Sequence, residues 1–262
     1  MKKLIVPVLS AVAIATASCG GGTPHNAKDA VAVKADTAAV TKEIAADTDN
    51  VLSDAEKRDG WQLLFNGRSK DGWHGYKGKT TDTWVVDYGL LHCLGSATDK
   101  SDKRADLTSD SSYENFELNA DWKLAPKGNS GIMYLVSEEF EAPYLSGPEY
   151  QIIDDKNFPE KLEDWQKTGA NYAMNPPLVA ASNPIGEWNH TKIIVNKGHV
   201  EHWLNGQKTA EYTMGSAEWK KNKETGKWKD AKGYGMTKKG KIALQDHGSE
   251  IWFKNVKLKE LK

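Results

Sequence analysis

Two short segments of the 262-residue chain carry side chains suited to acid–base chemistry on a carbohydrate. Gly147 to Asp154 reads GPEYQIID, and Leu244 to Gly248 reads LQDHG. A His has an unperturbed pKa that suits proton transfer near neutrality, and a Glu can serve beside it as the second acid–base group. The amides and the Asp next to them can hydrogen-bond hydroxyl groups. We expect the segments to end two strands that lie side by side, so that these side chains share one site.

Strand alternation places the candidate side chains away from the core. Successive residues of a strand point to opposite faces. In the strand predicted over 149–153, apolar neighbours claim the interior, which leaves Glu149 and Gln151 on the opposite face. In the strand that leads to the LQDHG segment, the same reasoning leaves Gln245 and His247 there. Two strands thus present polar groups where a ligand would bind, although two ordinary solvent-exposed faces have the same pattern.

The elements around these segments indicate an all-β domain with two long excursions. Asn205-Gly206 is the strongest hairpin signal, since both turn positions favour positive φ. The excursions, 154–187 and 215–239, are long enough to build binding walls, and the second is expected to contain one short helix. Many short strands without alternating helices predict a two-sheet sandwich or jelly roll. Strands are predicted at 84–86, 90–94, 116–122, 131–136, 149–153, 191–195, 199–204, 208–212, 241–245 and 251–258.

The N-terminal region predicts export and lipid anchoring. Residues 1–18 combine two Lys, an apolar run too short to span a bilayer and small residues before Cys19, the pattern of a lipoprotein signal peptide. Cys19 would become the lipidated N-terminus on the outer membrane, facing the periplasm because no acidic cluster follows it. Residues 19–58 contain no aromatic residue and are expected to form a flexible tether before a folded domain at 59–262. Cys93 would then have no disulfide partner.

Charge and the remaining motifs exclude several classes of function. A formal net charge of −1 gives no reason to expect a nucleic-acid partner. His199 and His202 are three residues apart in a predicted strand and therefore face opposite sides, so we expect no metal site from them. The sequence has no phosphate-binding loop, nucleophile elbow or dinucleotide fingerprint. We expect that no cofactor is required, with a metal requirement left open.

Seven short motifs resemble, in order, those of the 3-keto-disaccharide hydrolase family. The resemblance covers residues 59–262, almost the whole predicted domain, and that family is abundant among Bacteroidetes lipoproteins. It implies a concanavalin A-like jelly-roll β-sandwich. The motifs are FNG at 65–67, DGW at 71–73, GNSGI at 128–132, GPEYQIID at 147–154, GEWN at 186–189, HWLNG at 202–206 and LQDHG at 244–248.

The resemblance also implies a reaction. Members are similar to 3-keto-glucoside 1,2-lyases or to hydratases of the resulting 2-hydroxy-3-keto-glucal. A C3 ketone acidifies the C2 proton, so that a base can remove it while the C1 substituent leaves by β-elimination, after which water adds back. Such an enzyme would take an oligosaccharide or other glycoside as its 3-keto form, and a separate sugar oxidoreductase would supply the ketone.

Carried over to this chain, the resemblance implies roles for eight residues. His247 and Glu149 would be the acid–base pair, in either order, with Asp246 holding His247. Trp203 would be a stacking platform, with His202 beside it. The family often has Arg or Asn shortly after GNSGI, whereas Tyr134 and Leu135 stand here, so a charged contact from that strand is in doubt. The polar substrate-binding residues would be Gln151, Gln245 and Asn129.

Two other functions fit the same sequence. A retaining laminarinase-type endo-glucanase uses Glu-x-Asp-x-x-Glu on one strand, and Glu149 to Asp154 has that spacing with Gln151 at the middle position. An ordinary strand would send Glu149 and Asp154 to opposite faces, so that reading requires a bulge. The second alternative is a non-catalytic, lectin-like sugar-binding module with Trp platforms.

Overall fold

Two antiparallel β-sheets form the protein in its computed structural model, which describes residues 46, 48–95 and 103–262. All of these residues belong to one compact unit, Lys42–Lys262. The predicted all-β, concanavalin A-like jelly-roll sandwich is confirmed. Residues 1–18, Cys19 and most of the predicted tether lie outside the described residues, as do 96–102. In the part of the chain that is described, no helix is long and apolar enough to cross a membrane.

Thirteen strands and two α-helices make up the described fold. The helices are α1 (Asp54–Arg58) and α2 (Ala217–Thr225). The strands are β1 (Trp61–Leu63), β2 (Trp73–Gly75), β3 (Trp84–Asp87), β4 (Leu90–Cys93), β5 (Leu107–Ser109), β6 (Phe116–Leu124), β7 (Asn129–Val136), β8 (Glu149–Ile153), β9 (Asn189–Asn196), β10 (His199–Leu204), β11 (Gln207–Thr213), β12 (Lys241–Leu244) and β13 (Ile251–Glu260).

The strand order separates the two segments singled out in the sequence. The larger sheet runs β11-β10-β9-β6-β13-β4-β3, with β1 also paired to β13. The smaller sheet runs β2-β5-β12-β7-β8. The expectation that β8 and β12 lie side by side is therefore wrong, because β7, which carries most of the GNSGI motif, lies between them. The two strands still belong to one sheet and present the same face.

The core between the sheets follows the strand alternation. On β6 the side chains of Phe116, Leu118 and Trp122 are buried in it, as the alternating sequence predicts. Tyr150 and Ile152 of β8 are fully buried in the same core. Their neighbours on β8 therefore face away from it, onto the outer face of the smaller sheet. Cys93 is a free, buried thiol on the core side of β4.

The predicted tether ends earlier than residue 58. Asn50 is buried and exchanges two hydrogen bonds with Asn255, from Asn50 N to Oδ1 at 2.7 Å and from Asn255 N to Oδ1 at 2.9 Å. This pairing lies where β13 changes register against β6. Helix α1 follows, with Ser53 as its N-cap and Glu56 in an ion pair with Lys257 of β13. Residues 48–58 are thus docked by polar contacts that composition could not reveal.

The two predicted excursions are present and cover the edge of the smaller sheet. The loop after β8 runs back along it, with Gln151 N donating to Ala170 O, Gly169 N to Gln151 O and Tyr172 N to Glu149 O. The second excursion contains α2, which confirms the predicted short helix. Trp228 of that excursion donates from Nε1 to the carbonyl of Tyr172 at 3.2 Å. The two loops therefore form one wall beside β8.

Candidate functional site

A cavity of about 260 Å³ on the outer face of the smaller sheet collects most of the predicted polar residues. We call it the Glu149 cavity. At about 30 Å³ per water molecule its volume equals roughly nine waters, which is small for a ligand site and suits a single sugar ring. Its lining residues are Asn129, Tyr144, Glu149, Gln151, Tyr172, Lys227, Trp228, Gln245 and His247.

Three strands place the polar side chains in the cavity. Gln151 on β8 pairs across Gly131 on β7, and Gln245, just after β12, donates its backbone N–H to the carbonyl of Gly131 at 2.9 Å. A Cβ atom at Gly131 would lie 2.6 Å from Oε1 of Glu149, closer than real Cβ contacts come. The absence of a side chain at Gly131 thus leaves the space that the Glu149 carboxyl group occupies.

The wall opposite the strands is aromatic and carries one cation. Lys227 Nζ lies 4.4 Å from the ring centroid of Tyr172 and 5.0 Å from that of Trp228, and it donates to the Tyr172 hydroxyl at 3.2 Å. Tyr144 lies against Trp228, with ring centroids 6.2 Å apart. The sequence reasoning did not identify these four residues. The long excursions were the available signal, but they indicated only that a wall would form.

Burial changes the protonation state of Glu149. Its side chain is 4% exposed, and desolvation raises its pKa to about 8. Asp106 acts in the same direction, whereas Lys227 and a hydrogen bond from the Gln245 side chain oppose the rise. At neutral pH Glu149 is therefore mainly a neutral carboxylic acid that can donate a proton.

His247 has the opposite property at the mouth of the cavity. Its side chain is exposed to solvent on one side, yet the protein atoms crowding its other side lower its pKa by desolvation. Arg104 and Lys227 lower that pKa further, and Asp246 partly opposes them. At neutral pH the imidazole is therefore uncharged and can accept a proton.

The predicted contact between the Asp246 carboxylate and the His247 imidazole is wrong. This carboxylate, 1% exposed, accepts hydrogen bonds from Arg104 Nε at 3.2 Å, Thr83 Oγ1 at 2.7 Å and Gly248 N at 3.0 Å, and no hydrogen bond joins it to the imidazole. Asp246 therefore fixes the turn that presents His247. The reason is the end of β12 at Leu244, beyond which the side chains no longer follow strand alternation.

Unpartnered amide oxygens remain in the cavity. Gln151 Nε2 donates to Asn129 Oδ1 at 3.2 Å, but Oε1 of Gln151 and Oε1 of Gln245 are buried with no hydrogen-bond partner in the described protein. Leaving a buried acceptor unpaired costs about 1–3 kcal/mol, which a ligand hydroxyl would relieve. The cavity floor is thus prepared for donors such as sugar hydroxyls.

Two predicted binding residues lie elsewhere, on β10 of the larger sheet. His202 is fully buried between the sheets, where Nε2 shares a hydrogen bond with the Tyr134 hydroxyl at 2.8 Å. Trp203 lies on the outer side, with Lys192 Nζ 4.4 Å from its ring centroid and its own Nε1 donating to Glu201. Neither lines the Glu149 cavity, because the HWLNG motif forms a hairpin in the other sheet.

The glucanase alternative lacks its second carboxylate. Asp154 lies outside the Glu149 cavity, and its carboxylate accepts from the backbone N–H groups of Lys127, Lys156 and Asn157. It therefore caps a turn. Glu149 is the sole carboxylate among the residues that line the cavity, whereas double displacement needs two about 5–5.5 Å apart.

A polar cluster on β10 and β11 does not extend the site. His199 Nε2 lies 3.2 Å from Glu211 Oε1 and 3.5 Å from Glu201 Oε1. Such a set could ligate a metal ion. The ammonium group of Lys208 already pairs with the Glu201 carboxylate at 3.3 Å and with the Glu211 carboxylate at 2.8 Å. The cluster is accounted for by these ion pairs.

A larger cavity, of about 700 Å³, lies between α2 and the β9–β11 edge of the larger sheet. It is lined by apolar side chains such as Leu135, Met214 and Met236, with lysines around its rim. Glu114 and Glu224 also line it, but none of the predicted acid–base residues does.

Comparison with known proteins gives consistent matches. Residues 60–259 match the family described as a 3-keto-alpha-glucoside-1,2-lyase-like domain. A Bacteroides thetaiotaomicron protein named 3-keto-disaccharide hydrolase is 30% identical over 292 aligned positions, covering 100% of both chains. A crystal structure from Parabacteroides distasonis, provisionally named a glycosyl hydrolase, is 43% identical with a TM-score of 0.76, covering 82% of this chain and 100% of its own. A second from that organism, named likewise, is 26% identical with a TM-score of 0.59, covering 77% and 99%.

Proposed function

The chain belongs to the 3-keto-alpha-glucoside-1,2-lyase-like family, and we propose that it cleaves 3-keto-glycosides by elimination followed by hydration. The observation that carries this proposal is the pairing in one cavity of a buried, protonated carboxyl group, Glu149, with an uncharged imidazole, His247. The two groups hold complementary protonation states at the same pH, which is what concerted acid–base catalysis needs.

In the elimination step His247 is the base and Glu149 the acid. The imidazole takes the proton from C2, and the C2–H electron pair forms the C1–C2 double bond as the C1–O bond breaks. Glu149 gives its proton to the departing glycosidic oxygen, so the leaving group departs as a neutral alcohol. Each group, correctly placed, contributes roughly 10²–10⁴-fold in rate.

Lys227 stabilises the charge that develops on the C3 oxygen. Removing the C2 proton moves negative charge onto the ketone, and a preorganised cation there lowers the barrier. Among the nine residues lining the cavity, Lys227 is the sole lysine or arginine. Its contacts with Tyr172 and Trp228 hold the ammonium group in place.

In the hydration step the two groups exchange roles. The Glu149 carboxylate left by elimination takes a proton from water, the hydroxide adds to C1, and the imidazolium of His247 returns a proton to C2. The products are a 3-keto-sugar and the free alcohol, so the net reaction is hydrolysis. Gln151 and Gln245 accept hydrogen bonds from the ring hydroxyls in both steps.

The proposal is tested by giving the purified protein 3-keto-trehalose, unoxidised trehalose and an unoxidised glucan in separate assays. We expect consumption of the keto compound alone, with transient enone absorbance, and loss of activity in His247→Ala. Lys229→Met, which changes a residue outside the cavity, should leave turnover unchanged. Turnover of unoxidised glucan would favour a glucanase, and binding without turnover would favour a sugar-binding module.

We also propose that the protein is a lipoprotein, anchored in the outer membrane through Cys19, and that a separate oxidoreductase supplies its substrate. The first rests on the sequence of residues 1–19. The second follows from the chemistry, since the proposed elimination requires a C3 ketone that His247, Glu149 and Lys227 cannot themselves produce by oxidation.

A further inference from the structure

The larger cavity beside α2 has the size and the surface of a binding site for one small molecule. We call it the Leu135 cavity; its volume is about 700 Å³. Ligand pockets span roughly 300–1,000 Å³ and are lined mainly by apolar side chains. Leu135 of β7 and Val195 of β9 line this cavity and belong to the core between the sheets. Met214 and Trp219 extend the apolar surface. An alkyl group bound there would therefore be removed from water.

A strained stretch of backbone builds the floor of the Leu135 cavity. Leu135 has a φ of 54°, in the left-handed region that bulky side chains seldom adopt. It lies in a bulge, where Tyr134 and Leu135 together oppose the single residue Ile242 of β12. Both Tyr134 and Leu135 therefore join the core, whereas strand alternation would send Leu135 to the outer face. Strain of this kind persists only where the surrounding structure enforces it, and it is concentrated at functional sites.

The mouth of the Leu135 cavity is positively charged. Lysines outnumber carboxylates among its lining residues by five to two. Lys197, Lys220 and Lys238 are exposed, and none of them forms an ion pair with a carboxylate in the described part of the chain. Lys223 Nζ lies 5.7 Å from the ring centroid of Trp219, which places a cation over the apolar surface. An apolar interior below a cationic rim complements a molecule that has an apolar body and one anionic end.

We propose that the Leu135 cavity binds a single amphipathic acid, a molecule with an alkyl body and one carboxylate. The alkyl body would lie against Leu135, Val195 and Met214, and the carboxylate would lie at the mouth beside Lys220 and Lys238. The inference is independent of the proposed reaction, because no residue lines both this cavity and the Glu149 cavity. The concave shape favours one molecule in solution over a membrane, which is a broad surface.

The test measures the binding of saturated fatty acids by isothermal titration calorimetry, below the concentrations at which they form micelles. Octanoate, decanoate and dodecanoate share one head group, so differences in their Kd values report burial of the alkyl chain. Each buried CH₂ group should tighten Kd by up to about four-fold. Decyltrimethylammonium has a chain of similar length and the opposite charge, and it should bind at least about five-fold more weakly than decanoate.

Opposite charges at one exposed position locate the site. Met236 lines the cavity and is 66% exposed, so Met236→Glu and Met236→Lys change the charge at the mouth without disturbing the core. Decanoate should bind Met236→Lys at least about three-fold more tightly than Met236→Glu. The matched control is Leu178, which is 71% exposed and lines neither this cavity nor the Glu149 cavity. Leu178→Glu and Leu178→Lys should bind decanoate with the same Kd.

Several results would overturn the inference. The first is the absence of saturable decanoate binding, and the second is a Kd that does not change with chain length. Equal binding of decanoate and decyltrimethylammonium, or equal binding of decanoate by the two Met236 variants, would also contradict it. Sedimentation of the Cys19→Ala protein with phosphatidylglycerol vesicles, without saturable binding of free decanoate, would assign the cationic mouth to a membrane contact instead.

Discussion

The raised pKa of Glu149 makes the pH dependence of the reaction the sharpest consequence of the site. With a pKa of about 8, about 90% of Glu149 is protonated at pH 7, whereas a carboxyl group with the ordinary value of 4.5 would be ~0.3% protonated. Burial thus increases the protonated fraction of Glu149 roughly 300-fold at that pH. This larger protonated fraction depends on the burial of the Glu149 side chain in the cavity.

Activity should therefore follow a bell-shaped pH profile. Below the lowered pKa of His247, which lies under 6.5, kcat/KM falls because the imidazole becomes protonated and can no longer act as base. Above about pH 8 it falls about ten-fold per unit because Glu149 loses its proton. The profile of kcat/KM is measured on 3-keto-trehalose from about pH 5 to about pH 10, and its two limbs report the pKa values of the essential base and acid of the free enzyme.

Glu149→Gln isolates the alkaline limb. We expect kcat/KM to drop by about 10²–10⁴ and the residual activity to show no fall above pH 8. Asp155→Asn, another carboxyl group whose pKa is raised by burial but which lies outside the cavity, should keep both limbs. An alkaline limb that survives in Glu149→Gln would refute the assignment of Glu149 as the acid.

Three further changes test other parts of the account. Gly131→Ala would place a methyl group 2.6 Å from Glu149 Oε1, so we expect activity to fall by at least about 10²-fold. Adding Glu149→Gln to this variant should cause little further loss, because both changes affect the same carboxyl group. Additive losses in this double-mutant cycle would contradict the contact. Lys227→Met should lower kcat by about 10²–10³-fold. It should also move both limbs of the pH profile to higher pH, since Lys227 lowers the pKa of both Glu149 and His247. A shift of the limbs to lower pH would count against the placement of Lys227 beside these groups. Cys19→Ala should move the protein from the membrane fraction to the soluble one, as judged by fractionation and immunoblotting, and unchanged partitioning would rule out lipid anchoring through Cys19.

Most of what the sequence predicted correctly about the site came from the alternation of residues along the strands. Alternation alone put Glu149 and Gln151 on the face away from the core, and the structure places both in the cavity. It could not give the order of strands in the sheet, because pairing partners are not encoded in periodicity. The insertion of β7 between β8 and β12 was therefore unforeseen, as was the reason for Gly131 at the cavity floor.

The errors have a common physical origin in tertiary contacts. Trp203 and His202 were grouped with the site because a motif does not reveal which sheet its hairpin joins. Lys227 and Tyr172 lie on irregular loops, where no periodic pattern exists to orient a side chain. The early end of the tether depends on the reciprocal hydrogen bonds of Asn50, which involve a residue about two hundred positions away.

The fate of the C2 hydrogen tests the central claim, because elimination must break the C2–H bond in every turnover. The substrate is 3-keto-trehalose deuterated at C2 of the keto ring, and the 3-keto-glucose released in ordinary water is analysed by mass spectrometry against an enzyme-free control. His247 is exposed at the cavity mouth, so the deuteron it accepts exchanges with solvent before hydration. The product should therefore have lost its label, whereas full retention of deuterium at C2, together with no primary isotope effect on turnover, would contradict cleavage of the C2–H bond.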